Sequence, residues 1–160
     1  VSTFRLGNVL AADVLSPFGE YLKLPVLPAI LGYDPRLQFL HPYDALNVLA
    51  LAATGEVTGT YNVIGPQVVT LSQLARRLGR PLLRLPSLGF NGVTDKMVRL
   101  MSSDFTPELT RLFMYGRVVD GSKLERELQY EVLYSTPQTV AAFAEAIEPG
   151  VLSPLGGSHG

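Results

Sequence analysis

The chain opens with a stretch that reads as a strand and cannot stand alone. Residues 1–11, VSTFRLGNVLA, place Val1, Thr3, Phe4 and Leu6, then Val9 and Leu10, around a Gly7-Asn8 break. This β-branched, aromatic and aliphatic content is that of a β-strand. The backbone N–H and C=O groups of a buried strand need partners along both edges. A chain that begins inside such a strand, at Val1 and not at Met, is therefore expected to belong to a longer protein whose earlier part supplies a neighbour.

Further along, short extended runs alternate with capped helices. Ser16-Pro17 is an N-cap followed by proline at the first helical position, and predicts a short helix toward Leu24. PVLPAIL is a proline-interrupted run suited to an edge strand, Gly32-Tyr33-Asp34-Pro35 is a turn, and LQFLH reads as a short strand. Leu46, Val48, Leu49 and Ala53 after Pro42 predict a helix over 42–53, with Asp44 at the positive end of its dipole and Thr54-Gly55 as its stop. GTYNVIG is the next strand. Thr70 and Gln73 have the spacing of a capping box ahead of Leu71, Leu74 and Leu78, and Gly79 ends that helix. PLLRLP is extended again.

Residues 90–115 read as helical in two parts. The first carries Met97, Val98, Leu100 and Met101. The second starts at Thr106-Pro107-Glu108 and turns Leu109, Leu112 and Phe113 inward; core packing accounts for these methionines and phenylalanines. Asp120 reads as the cap of a helix with Leu124 and Leu128, and Ser135 or Thr136 with Pro137 starts a last helix that buries Val140, Phe143, Ala144 and Ile147. The order of strands and helices, without repeat or linker, is that of an α/β or α+β chain.

Composition narrows the functions. Apolar residues make up 47% of the 160, charged residues 17%, and the net charge is −1, so clustered basic charge for nucleic acid or an anionic membrane is missing. The densest basic group, Arg76, Arg77, Arg80 and Arg84, reads as a solvated helix face. There is no cysteine, which excludes disulfides, thiolate nucleophiles and Cys-ligated zinc. No apolar run approaches the ~20 residues of a membrane span. No signal peptide is visible, and a cytoplasmic location is the expectation.

Self-contained catalytic motifs are absent as well. Neither G-x-G-x-x-G nor G-x-x-x-x-G-K-[ST] occurs, nor G-x-S-x-G. The two histidines, His41 and His159, are too few for a metal site or a Ser-His-Asp triad, and no metal ligand is assigned. No catalytic residue is assigned either.

Four segments, in order, carry a resemblance. Phe4-Arg5-Leu6-Gly7-Asn8-Val9 is similar to an L-R-x-x-N-V strand; Leu37 to Asp44, LQFLHPYD, to D-F-I-H-V-x-D before a helix; GTYNVIG with Thr70-Leu71-Ser72-Gln73-Leu74 to G-x-Y-N-V-G-x-G followed by S-x-x-E-L; and Asp120-Gly121-Ser122-Lys123 with Leu128 and Tyr130 to D-x-S-K-x-x-x-x-L-G-[YW], with Gln129 in place of the glycine. Together they resemble the C-terminal half of the NAD-dependent epimerase/dehydratase family, the extended short-chain dehydrogenase/reductases typified by UDP-glucose 4-epimerase.

The resemblance implies an α/β fold that is the C-terminal portion of a Rossmann-type enzyme, a small mixed sheet with helices, with residues 1–150 as the substrate-binding half and 151–160 as a flexible tail. It implies that Asn8 contacts the substrate's phosphate region, although that residue type also simply turns a chain at a strand end. It makes Arg111, and next Arg117, the candidates for the arginine that holds the nucleotide. His41 is read as a brace for the strand-to-helix corner, and Tyr61 and Asn62 as structural.

The family's Tyr-x-x-x-Lys pair is absent, since Tyr33, Tyr61, Tyr115 and Tyr130 have no lysine four residues on. The family's cofactor, NAD or NADP, would then belong to the complete protein, and the chain alone is expected to be inactive. The implied partners are a sugar nucleotide or related small molecule and the missing Rossmann half; a homodimer is compatible with the family. Two alternatives stay open: a naturally short, non-catalytic ligand- or protein-binding module of the same fold, and a non-sugar substrate such as a steroid or lipid alcohol, suggested by the apolar run 82–88.

Overall fold

The computed structural model describes residues 2–55, 57–86, 92 and 107–152. Val1, the helical stretch expected around Met97–Met101, and the tail from 153 onward lie outside the described residues.

Strand β1 (Ser2–Leu6) runs parallel to β4 (Gly59–Val63), with Ser2 opposite Gly59 and Leu6 opposite Val63. Strand β2 (Leu27–Ile30) runs parallel to β6 (Leu82–Leu85), and β3 (Arg36–Leu37) lies antiparallel to β5 (Val69–Thr70). Parallel neighbours need long crossovers. These contain α1 (Pro17–Lys23), α2 (Pro42–Thr54) and α3 (Leu71–Arg77). Three more helices follow: α4 (Pro107–Tyr115), α5 (Ser122–Leu128) and α6 (Thr136–Ala146). The architecture is the mixed α/β one expected from the sequence.

The helix starts follow the local capping chemistry. Ser16 accepts from the Gly19 N–H at 3.0 Å at the head of α1. Thr70 and Gln73 form the expected reciprocal box on α3, and Ser135 with Gln138 forms a second one on α6. At α3, Asp34 also accepts from the Ser72 N–H and hydroxyl. Desolvation alone would raise the Asp34 pKa; the bonds from Ser72, one from Thr70 and the Arg84 charge together outweigh it and hold the carboxyl below its ordinary range.

Three expectations need correction. The four arginines are not one solvated helix face: Arg80 is buried past the end of α3 and donates to the Glu148 carbonyl at 2.9 Å, and Arg84 lies on β6. LQFLH is not a continuous strand: only Leu37 joins a ladder, and Leu40 makes a single bridge to Val9. The Phe39 N–H donates to the Thr136 hydroxyl at 3.2 Å and not to a strand, and the Gln38 amide turns inward, donating to the Gly65 carbonyl at 3.4 Å and accepting from the Val119 N–H at 2.7 Å. Asp120 is not the cap of α5. Gly121 occupies that position without a side-chain bond, and Asp120 instead accepts from the Ser122 N–H at 2.9 Å.

Two apolar clusters fill the interior. The larger is built around Phe18, Tyr21, Phe39 and Phe113, whose rings pack at 4.4 to 5.7 Å centroid spacing. The smaller joins Leu40, Val48, Tyr61, Val63 and Leu124 beneath α2 and α5. The segments meet at a polar knot. Thr136, fully buried, accepts from the Phe39 N–H at 3.2 Å and donates to the Gly65 carbonyl at 3.2 Å, while its own N–H donates to Pro66 at 2.8 Å. Gly65 fits there because a Cβ would collide with the Phe39 carbonyl.

Asp44, also fully buried, sits beside that knot in the first turn of α2. Its carboxylate accepts from the Leu133 N–H at 2.9 Å, the Tyr134 N–H at 3.0 Å and the Tyr130 hydroxyl at 3.2 Å. Burial, and then the Asp44 charge, raise the Tyr130 pKa.

Asp44→Asn puts an amide N–H against a backbone N–H with no solvent to take either. It is expected to lower stability by roughly 2–4 kcal/mol, read as a shifted urea midpoint at unchanged slope. Gln129, at the C-cap of α5, has a left-handed φ of 53°. Gln129→Gly is expected to raise stability by about 0.5–1 kcal/mol in the same measurement.

Candidate functional site

Strand β1 and strand β4 part company at their carboxyl ends. The ladder continues one step, Gly7 N–H to Val63 at 2.8 Å. Then Asn8 turns to a new neighbour: its carbonyl accepts from the Leu40 N–H at 2.9 Å, and the Leu10 N–H donates back to Leu40 at 3.1 Å. Segment 38–40 thus enters between the two strands, with Gly65 donating to Phe39 at 3.1 Å on its other side. In open α/β sheets the crevice outside the carboxyl ends of the strands is where ligands bind.

A cavity of about 620 Å³ opens at this place. Its walls are residues 7–9 from the end of β1, Val14 with residues 16–18 from the start of α1, and residues 111, 112 and 115–117 from the end of α4. Asn8, Arg111 and Arg117 all line it. The three residues singled out from the sequence therefore share one cavity, although more than a hundred positions separate the first from the other two.

Local chemistry explains each placement. Asn8 is exposed at the strand end. Arg111 is exposed on the last turns of α4, a helix whose Phe113 is anchored in the aromatic cluster. Arg117 depends on Gly116, which ends α4 with a left-handed φ of 68° and donates to the Leu112 carbonyl at 2.8 Å. A Cβ on Gly116 would run into the Arg36 backbone, and the Arg117 N–H donates to the Arg36 carbonyl at 3.0 Å. Among the described residues neither guanidinium has an ion-pair partner.

The sequence reading missed Tyr115, Val14 and Ser16 as cavity residues. Tyr115 is 72% exposed and is met edge-on by the Tyr33 ring at 5.9 Å. Its only sequence signal was an aromatic residue at a helix end, and Val14 had none. His41 takes the structural place expected of it: its Nδ1 accepts from the Tyr43 N–H at 3.2 Å, and its ring stacks on Tyr134 at 3.9 Å. Tyr61 and Asn62 are structural too, Asn62 donating to the Asp120 carbonyl at 3.1 Å and Tyr61 to the Thr58 carbonyl at 2.8 Å.

A second cavity of about 340 Å³ is lined by Asp120, Glu125 and Glu131. The Ser122 N–H, the Ser122 hydroxyl and Arg126 lower the Asp120 pKa, which keeps that wall anionic. An anionic ligand is thus repelled there and attracted to the cavity with the arginines. Among the described residues no group of three or more His, Cys, Asp or Glu could hold a metal ion, and no helix is long and apolar enough to cross a membrane.

No family model matches the sequence. Among curated proteins, the chain is 31% identical over 159 residues to the uncharacterized proteins Rv0501 of Mycobacterium tuberculosis and Mb0513 of Mycobacterium bovis, covering 99% of this chain and 42% of each relative. The chain therefore spans less than half the length of the curated relatives it matches.

Among solved structures, the fold is similar to that of human epimerase family protein SDR39U1 with NADPH (TM-score 0.63, 21% identity), over 91% of this chain and 47% of that one. The Bordetella bronchiseptica enzyme WbmG in complex with NAD and UDP gives 0.59 at 17% identity, over 91% and 42%. UDP-N-acetylglucosamine 4-epimerase from Bacillus cereus gives 0.58 at 14% identity, over 90% and 45%. The fold is thus one found within Rossmann-type NAD-dependent epimerase and dehydratase enzymes, and it corresponds to about half of each. At these identities the likeness establishes fold alone.

Gly116→Ala tests how the cavity wall is set. The left-handed conformation and the collision with Arg36 together are expected to cost at least ~1–2 kcal/mol, measured by thermal melting, while the exposed Arg117→Gln stays within about 0.5 kcal/mol of the parent.

Proposed function

We propose that this chain is the substrate-holding part, in family terms the C-terminal half, of an NAD- or NADP-dependent epimerase/dehydratase that acts on a sugar nucleotide or related phosphate ester. The observation that carries this reading is the convergence of Asn8, Arg111 and Arg117 on one cavity at the carboxyl end of a parallel strand. Arg111 and Arg117 present planar forks of N–H donors suited to phosphate oxygens. The Asn8 carboxamide adds a neutral donor at the far wall. Such contacts hold a substrate in register, and in this reading that is the chain's part in catalysis.

The sequence of this chain lacks the G-x-G-x-x-G turn that would cradle the dinucleotide itself. The cofactor would be held by another part of the complete protein, where it supplies hydride transfer. Two surfaces support such a neighbour. Strand β1 has β4 on one side and no other strand along residues 2–6 among the described residues. Helix α2 turns Leu46 and Leu49, 66% and 49% exposed, away from its own core. The length of the curated relatives also supports it, since the chain spans 42% of them.

Titration of UDP into the chain, followed by calorimetry, is expected to give saturable binding that Arg111→Gln and Arg117→Gln each weaken by roughly tenfold or more. Assays with NAD and UDP-glucose are expected to give no turnover from the chain alone. UDP binding that is absent, or indifferent to both substitutions, would overturn the reading; turnover by the chain alone would overturn its inactivity.

A further inference from the structure

The proposed reading leaves open what the phosphate carries, and the cavity wall bears on that. It combines two cations with an apolar lining: Val9, Val14, Phe18 and Leu112 face it, and no carboxylate lines it among the described residues. Phe18 is itself fixed, its ring stacked on Phe113 at 5.6 Å and packed on Phe39 at 5.3 Å.

Hydrogen-bonding capacity along the wall is lopsided. Sugar hydroxyls are donors as well as acceptors, so a bound hexosyl group needs acceptors around it. Some backbone groups on the wall are already engaged: the Gly7, Gly116 and Arg117 N–H groups donate to Val63, Leu112 and Arg36, and the Asn8 carbonyl accepts from Leu40. Ser16 Oγ already accepts from the Gly19 N–H. Among the described residues the side-chain acceptors on the wall are Asn8 Oδ1, the Tyr115 hydroxyl and the remaining lone pair of Ser16 Oγ, while both arginines only donate. A polyol laid along Val9, Val14 and Phe18 would set its hydroxyls against apolar side chains, and an apolar body would not.

We infer that this cavity selects an organic phosphate with an apolar body, aryl or alkyl, over a sugar phosphate of equal charge. The inference rests on the reading that the arginines hold a phosphate, and it narrows the substrate class of the same site. The phosphate lies at Arg111 and Arg117, and the apolar body lies along Val9, Val14 and Phe18.

The test compares three probes on the chain by calorimetry: inorganic phosphate, 1-naphthyl phosphate and glucose 1-phosphate. The two esters carry the same anionic group. The expected result is that 1-naphthyl phosphate binds at least tenfold tighter than glucose 1-phosphate. Val14→Thr, equal in size but bearing a hydroxyl, is expected to narrow that ratio several-fold, and near-ultraviolet circular dichroism verifies that the variant keeps its packing. Equal affinities, or tighter glucose 1-phosphate, would overturn the inference and leave the phosphate-holding reading in place. A ratio unchanged by Val14→Thr would overturn the assignment of this wall. If none of the three binds, the inference and the reading beneath it fall together.

Discussion

A carboxylate removed from water governs how this molecule is joined. Asp44 receives two backbone N–H groups and one phenol, all from residues 130–134, and it belongs to the first turn of α2. An ion buried this deeply persists only when its acceptor sites are filled. The chain ahead of α6 is therefore obliged to arrive at α2. Its arrival places Thr136 against Phe39 and Gly65, and that contact fixes the segment that wedges open β1 and β4. The cavity lies where those strands diverge. One charge in the first third of the sequence thus sets the position of a site formed by residues on either side of it.

Much of the local structure was legible. Helix starts are written in adjacent residues, as at Ser16-Pro17, Thr70 with Gln73, and Ser135-Thr136-Pro137, because a cap involves partners three positions apart. Strand partners are not written this way. LQFLH has the composition of a strand, yet Gln38 commits its amide to Gly65 and Val119, residues that nothing in its neighbourhood announces. The site divides along the same line. Asn8, inside a motif, and Arg111 and Arg117, upstream of the D-x-S-K segment, could be nominated. Val14 and Tyr115 could not, since what makes them wall residues is the fold around them.

Gln129 records how a family pattern and a particular chain diverge. The position where the resemblance would place glycine is left-handed here, at a φ of 53°, and a side chain occupies it. The left-handed backbone is met here by a residue that adopts it less easily than glycine. The fold is likewise shared with structures only 14–21% identical.

The parallel pairings carry a kinetic meaning. Ser2 meets Gly59, and Leu27 meets Leu82, so each ladder closes a loop of more than about fifty residues before its first bond forms. Capped helices can form within their own sequence on much shorter times. A chain arranged like this acquires its helices early and its sheet late, and its rate is governed by the search for distant strands. Until that search ends, the edges of β1 and β2 stay available to any other strand they meet. The same topology that creates the crevice between β1 and β4 also makes the route to it slow and crowding-sensitive.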